Sequence, residues 1–390
     1  MSRRASLSVT AVIVLTAVTA SSAALQPPPK RPTRPVVSGP REWETRLVYY
    51  RFKSSEQGVA RRRIHFLCAI DSRALHRCRS PFTVRLAIGP HTLRVRAVDD
   101  RRRPSPTTTV RLRILEPRAP EVKVGAAPLN VIFANGRVWT ENWGDGTVSS
   151  IDVATRAVKT IQVGGQPGGI AYGAGSIWVS DLGGGPLRRL DETGRVVASI
   201  PLGGQSAGVA VSGSTVFVAD YTGGLSRVDA DTNSVLGRTA LPGRPEAVAV
   251  GFGRVWVSNE NGTLTALDPA TGAVVGTPVE IGADADDVAV GADAVWAVAL
   301  YGRSLARVDP ASLAVTARKR ISGQPSGVLV SGEDVWVSSY DRATVTRIRA
   351  ATLMVTRTHR VGEQPRGLAS GAGAVWVANQ RSNSVSRLPE

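Results

Sequence analysis

The chain of 390 residues is long enough for two or three domains, and its 40 glycines set against two methionines and six phenylalanines argue against a mainly helical fold and for an all-β chain with many tight turns. Its net charge of +17 is unevenly spread: +5 over residues 1–36, +11 over 37–121 (19 Lys and Arg against 8 Asp and Glu), and +1 over 122–390. A small basic part followed by a large, nearly neutral part implies separate domains.

Residues 1–24 read as an export signal. Arg3 and Arg4 precede an apolar run from about Leu7 to Ala20, and the small residues of "ASSAA" allow cleavage after Ala23 or Ala24. An uncleaved anchor is the alternative, although the run is shorter than a full membrane span. Ser6 stands where a twin-arginine signal wants a hydrophobe, and no cysteine follows for lipid attachment. The expected location is secreted or cell-envelope associated. Residues 25–40 carry six prolines and read as an extended linker.

Cys68 and Cys78 are the only cysteines. In an exported chain a disulfide between them is the default, with "HFLCAI" as a strand, "DSRAL" as a turn and Cys78 opening the return. A metal site with His65, His76 and His91 competes poorly, because no pair has a recognised zinc spacing. In "HTLRVRAV", alternation places Leu93, Val95 and Ala97 on one face and Arg94 and Arg96 on the other. The stretch "FLCAIDSRALHRCRSPFTVRLAIGPHTLRVRAVDD" resembles a small bacterial Ig-like β-sandwich repeat. The match lies at Phe66, Cys68, Asp71, Cys78, Ser80, Pro81, Gly89, His91, Thr92, Val95, Arg96, Ala97 and Asp99. This resemblance implies a spacer or adhesive module over residues 41–117. Arginine triplets at 61–63 and 101–103 read as a solvated face or as an attraction to anionic envelope polymer. Nucleic acid is not expected, since the basic region lacks interleaved aromatics.

From residue 122 onward the sequence repeats. A hydrophobe-aromatic-hydrophobe phrase recurs at Trp139, Trp178, Phe217, Trp256, Trp296, Trp336 and Trp376, in steps of 39, 39, 39, 40, 40 and 40 residues. Each copy spells four short strands: a small-residue strand such as "GGIAYG", an "xVWVS" strand, an alternating strand such as "GTLTALD", and a fourth after turns such as "PATGA". Four antiparallel strands in about 40 residues make a propeller blade. Ala171, Ala210, Ala249 and Ala289 suit the crowded centre, and the recurring aromatics suit core packing between blades. The last copy ends after three strands, and "PEVKV" at 120–124 is expected to supply the fourth and close the ring. The expected fold is all-β: a seven-bladed propeller over 120–390, closed by an N-terminal strand and preceded by the Ig-like sandwich.

The repeat, G-x-x-P-x-G-[VI]-A followed by VWVAN and a D-P-x-T-G turn, is similar to YVTN-type and streptogramin-lyase-like (virginiamycin B lyase-like) propellers. In that family a histidine, a glutamate and a magnesium ion near the central channel carry an elimination. Here the propeller's single histidine is His359, in a fourth strand, and no E-x-H occurs. No catalytic residue and no metal ligand is therefore assigned, and no cofactor is expected; magnesium enters only with the lyase alternative.

The loops between strands two and three differ in every copy and form the expected binding face. The candidate ligand-binding residues are Asn142, Trp143, Asp145, Asp181, Asp220, Tyr221, Asn259, Tyr301, Tyr340, Asp341 and Asn379. Aromatics and carboxylates on one rim suit a peptide, protein or glycan partner. The reading favoured by these residues is an exported, non-enzymatic, monomeric recognition module at the cell envelope. The alternatives are a metal-dependent lyase-like enzyme and a structural surface protein tethered by its basic domain.

Overall fold

The structure is a computed structural model that describes residues 31–55 and 64–390. The expected export signal, residues 25–30 of the linker and the arginine run at 61–63 lie outside the described residues. Among the described residues all regular secondary structure is β-strand. The chain divides between Leu115 and Glu116 into two compact units.

The N-terminal unit contains β1 (Val36–Ser38), β2 (Glu42–Trp43), β3 (Leu47–Lys53), β4 (His65–Ile70), β5 (His76–Cys78), β6 (Phe82–Arg85), β7 (Gly89–Val98) and β8 (Thr108–Ile114). They form two sheets, ordered β1-β3-β6 and β2-β8-β7-β4-β5. Strict alternation drives the packing. Val48, Tyr50 and Phe52 of β3 point into a core shared with Cys68 and Ile70 of β4, Leu93 and Val95 of β7, and Val110, Leu112 and Ile114 of β8. Cys68 and Cys78 are disulfide-bonded across the β4–β5 pair, with Cα atoms 5.8 Å apart. Asp71 ties the turn after β4 to β7: its carboxylate accepts from Thr92 N and pairs with His91 Nδ1, both at 2.9 Å. His65, His76 and His91 form no metal-ligating cluster among the described residues.

The C-terminal unit begins with β9 (Glu121–Lys123), and the described residues then form seven four-stranded antiparallel sheets in sequence order. The first strands are Pro128–Ala134, Pro167–Gly173, Ser206–Ser212, Pro245–Gly251, Ala285–Gly291, Pro325–Ser331 and Pro365–Gly371. In the seventh sheet the outer position is taken by β9, which pairs with Ser384–Pro389 in the register Val122↔Val385. Each first strand lies beside that of the next sheet, and Pro128–Ala134 also lies beside Pro365–Gly371.

Local chemistry explains the turns. Strands one and two are joined by two-residue turns such as Asn135-Gly136, Ala174-Gly175 and Phe252-Gly253, with both residues at positive φ, the geometry that matches strand twist. Strands three and four are joined by an aspartate that accepts from the following backbone and from a hydroxyl. Asp268 Oδ1 accepts from Ala270 N, Thr271 N and Thr271 Oγ1, and Asp152, Asp229 and Asp309 repeat this arrangement. These bonds hold the four carboxyls below the usual aspartate range, backbone donors contributing most.

Between neighbouring sheets lie compact apolar clusters. One joins Trp256 and Leu264 of the fourth sheet to Val288 and Val295 of the fifth. Another joins Val131, Val138 and Ile151 of the first sheet to Trp376 and Val385 of the seventh, with Val122 of β9 against it. The six repeat tryptophans and Phe217 are at most 2% exposed. The first-strand alanines are the cross-strand partners of these rings, as in Ala171↔Trp178 and Ala249↔Trp256. The backbone comes close to its neighbour two positions earlier, where a Cβ added at Gly169 would lie 2.3 Å from Ala207 O and one at Gly327 2.3 Å from Arg366 O.

Candidate functional site

The starts of the first strands, together with loops after the second strands, surround a cavity of about 540 Å³. Four sheets bring ionisable groups to it: Tyr221 from the third, Glu246 from the fourth, Asp286 and Asp287 from the fifth, and Arg366 from the seventh. Their positions follow from the pleat. In "PEAVAVG" and "ADDVAVG" the valines Val248 and Val288 pack between sheets, while the polar residues at the strand starts fall where the strands converge.

Tyr221 Oη donates to Glu246 Oε1 at 3.2 Å, and Arg244 lies 4.8 Å over the Tyr221 ring. Arg366 lies 4.7 Å over the Tyr340 ring, donates through Nε to Gln380 Oε1 at 3.1 Å, and holds Nη1 3.9 Å from Asp286 Oδ2. Asp287 bridges strands by accepting from Val288 N and Val328 N, both at 2.8 Å. Glu246 Oε2 and Asp284 Oδ1 are buried without a partner.

Burial dominates the electrostatics. It raises Glu246, with the charges of Asp286 and Asp284 adding to it, and raises Asp286 against the pull of Arg366. Glu246 and Asp286 are coupled, so the pair retains a proton into the neutral range. Burial also pushes Asp287 up to about 7. Glu246, Asp284 and Asp286 each offer an oxygen within 4.8 Å of the others, a donor set of hard oxygens that suits Mg²⁺ or Ca²⁺. The arrangement can therefore hold a cation or an amine and exchange a proton with it.

The residues singled out from sequence divide into three groups. Trp143, 40% exposed, and Tyr221 line the cavity, and Tyr340 reaches it through Arg366. Tyr301 stands apart, 66% exposed. The others serve the turns. Asp181 accepts from Gln166 N and Gly183 N and pairs with Arg188 at 2.9 Å. Asp220 repeats this with Gln205 N, Thr222 N and Arg238. Asp145 accepts from Ala126 N and Thr147 Oγ1, and Asp341 from Gln324 N. Asn142, Asn259 and Asn379 have no exposed surface, and their Nδ2 atoms bind hydroxyls of the third strand, such as Ser149, Thr265 and Ser386. Sequence reasoning passes over Glu246, Asp284, Asp286, Asp287 and Arg366. The one signal covers only Asp284, Asp286 and Asp287: the acidic spelling "ADADDVAVG" in place of the small residues of other first strands.

A family model described as outer membrane protein assembly factor BamB matches residues 183–286. No curated protein matches the chain in sequence. Among solved structures, hydrazine synthase of Kuenenia stuttgartiensis is 15% identical, with a TM-score of 0.57 over 68% of this chain and 96% of that one. The computationally designed Ika8 protein is 13% identical, with a TM-score of 0.55 over 69% of this chain and 98% of that one. At such identities the likeness is one of fold. Together with the repeated four-stranded sheets, these matches give the C-terminal unit a β-propeller-like repeat fold.

Proposed function

We propose that the chain is an exported recognition module of the cell envelope, a seven-bladed propeller closed by β9 and carried behind an Ig-like spacer, that binds a peptide or amino-sugar segment bearing a protonated amine. The observation that carries this reading is the convergence of Tyr221, Glu246, Asp286 and Arg366 from four sheets on one cavity. The Glu246–Asp286 pair supplies the negative charge, and Tyr221 and Trp143 supply faces for an apolar or sugar ring. Export is supported by the Cys68–Cys78 bridge, since disulfides persist in oxidising compartments, and by the similarity of residues 183–286 to an outer-membrane assembly factor.

Because the pair holds a proton at neutral pH, an amine must displace it, and affinity is expected to rise from pH 6 to pH 9. Isothermal titration of envelope-derived peptides and amino-sugar oligomers against the protein and its Glu246→Gln and Asp286→Asn variants tests this. A ligand bound more tightly at higher pH and weakened at least tenfold by Glu246→Gln supports the reading. A ligand indifferent to both variants, or a panel without a ligand, counts against it.

A second reading, a magnesium-dependent lyase-like enzyme, draws on the Glu246, Asp284 and Asp286 oxygens. Magnesium-dependent opening of a cyclic depsipeptide, followed by mass spectrometry, would favour it.

A further inference from the structure

The five-stranded sheet of the N-terminal unit turns one face to its core and covers the other with arginine. Cys68, Ile70, Leu93, Val95, Val110, Leu112 and Ile114 point inward. Alternation then sends Arg77 of β5, Arg94 and Arg96 of β7, and Arg111 and Arg113 of β8 to the opposite side. The register arranges them as a track. Arg77 and Arg96 flank Leu67 of β4. Arg94 follows on β7, diagonal to Arg111, since Arg94 pairs with Thr109 and Thr92 with Arg111. Arg113 continues along β8, roughly 7 Å further on at the two-residue repeat of a strand.

Arg77, Arg111 and Arg113 are exposed, and Arg94 and Arg96 are half-buried. The ion pairs of this unit among the described residues, His91–Asp71 and Arg103–Asp99, use none of the five. Glu42 of β2, in register with Arg113, places a carboxylate at one end of the track. Two members also serve the fold: Arg94 Nη2 donates to Asp71 O at 3.0 Å and Arg73 O at 2.6 Å, and Arg96 Nε donates to Thr107 Oγ1 at 3.0 Å. Like charges set side by side on a sheet are destabilising, and these bonds give no reason for the exposed Arg77, Arg111 and Arg113.

The spacing residues identify the partner. Between the arginines stand Leu67, Pro90, Thr92 and Thr109, with no aromatic ring to stack a base and no exposed apolar stripe to enter a bilayer. Guanidinium forks match phosphate oxygens in pairs. We propose that this face docks a linear phosphodiester polymer without bases, a polyol phosphate of the envelope, laid along β7 and β8. The proposal rests on the exported reading for its setting but not on the cavity or its ligand.

The test measures binding of the whole protein to a fluorescent poly(glycerol phosphate) oligomer, to phosphatidylglycerol vesicles and to single-stranded DNA of matched phosphate number, across a salt series. The oligomer is expected to bind most tightly. The triple variant Arg77→Gln, Arg111→Gln, Arg113→Gln should weaken it at least tenfold and lower the slope of log K against log salt by about 2, at about 0.7 per phosphate neutralised. The matched variant Arg51→Gln, Lys53→Gln, Arg85→Gln removes equal charge from the outward face of the other sheet and should stay within twofold. If circular dichroism shows the first triple variant misfolded, Arg111→Gln alone should lower the slope by about 0.7. Equal losses in the two triple variants, tighter binding of vesicles or DNA, or no binding of the oligomer at low salt would each overturn the proposal. None of these variants touches Glu246 or Asp286, so failure here is distinguishable from failure of the cavity reading.

Discussion

Glu141 shows how one side chain can make a rigid scaffold sensitive to pH. The matching position holds a serine in three other sheets, at Ser180, Ser258 and Ser338: Ser338 Oγ donates to Arg366 O of the next sheet at 2.7 Å, and Ser180 donates likewise to Ala207 O. In the first sheet a carboxyl fills that slot with no exposed surface. Its Oε1 accepts from Asn130 N at 2.9 Å and Nδ2 at 2.8 Å, while Oε2 has no partner. Burial pushes its pKa up to about 8, against the downward pull of its backbone and Asn130 bonds. The folded value lies above the usual glutamate value of 4.5, so the folded state binds the extra proton. The stabilisation is complete below about pH 4.5 and is lost as pH rises through about 8. Glu141→Gln keeps an acceptor for both Asn130 donors and cannot ionise. Its melting temperature should match that of the parent at pH 5 and exceed it at pH 8.5, the gap growing by at most about 1.4 kcal/mol per pH unit between. Parallel pH profiles would mean that Glu141 is ionised in the folded protein.

At the scale of a strand pair, the repeat's aromatic is fitted to the residue five positions before it. Trp178, Trp256, Trp296 and Trp376 donate Nε1–H to the carbonyls of Gly173, Gly251, Gly291 and Gly371 at 3.0–3.1 Å. At these glycines the next sheet's first strand presses in: a Cβ on Gly173 would lie 2.5 Å from Val211, and one on Gly371 2.1 Å from Phe133. Where serine replaces glycine the bond is missing. The third sheet has Ser212 and Phe217, which has no N–H to satisfy; the sixth has Ser331 and Trp336, whose Nε1 lacks a partner and whose ring stacks on His359 at 5.6 Å. Both Trp376→Phe and Trp336→Phe remove the same volume, but only the first strands a carbonyl. Urea unfolding should therefore show Trp376→Phe to be more costly by about 1 kcal/mol, and equal costs would show that the indole bond contributes nothing net. Much of this element design is legible in sequence. The 39–40-residue period and the strand alternation announce the four-stranded sheets, and the short Cys68–Cys78 spacing announces its bridge. The indole–glycine pairing is legible only once the hairpin register is known, because five residues of chain do not reveal which carbonyl faces the ring.

For the whole molecule the site is harder to read than the frame, for a physical reason. Glu246, Asp286 and Arg366 are separated by 40 to 120 residues and meet only because strands of three different sheets converge, so no local pattern joins them. Loop polarity, by contrast, draws attention to Asp181, Asp220 and Asn259, whose polar atoms are engaged by their own turns. The same long-range logic governs the pairing of β9 with Ser384–Pro389, which joins residues 122 and 385. Val122 packs on the cluster of Trp376, Ala378 and Val385, as Ile161 in the fourth strand of the first sheet packs on the cluster of Trp139 and Val148. If β9 serves the seventh sheet as an ordinary fourth strand, an aspartate should be equally unwelcome at both positions. Val122→Asp and Ile161→Asp are each expected to destabilise by about 1–3 kcal/mol in thermal or urea unfolding, the cost of a polar group forced into partial burial. Val122→Asp should also increase hydrogen exchange in Ser384–Pro389, because that strand would lose its outer partner and present an open edge. A cost at Ile161 with none at Val122, and unchanged exchange in the last strand, would mean that β9 contributes no stability to the seventh sheet.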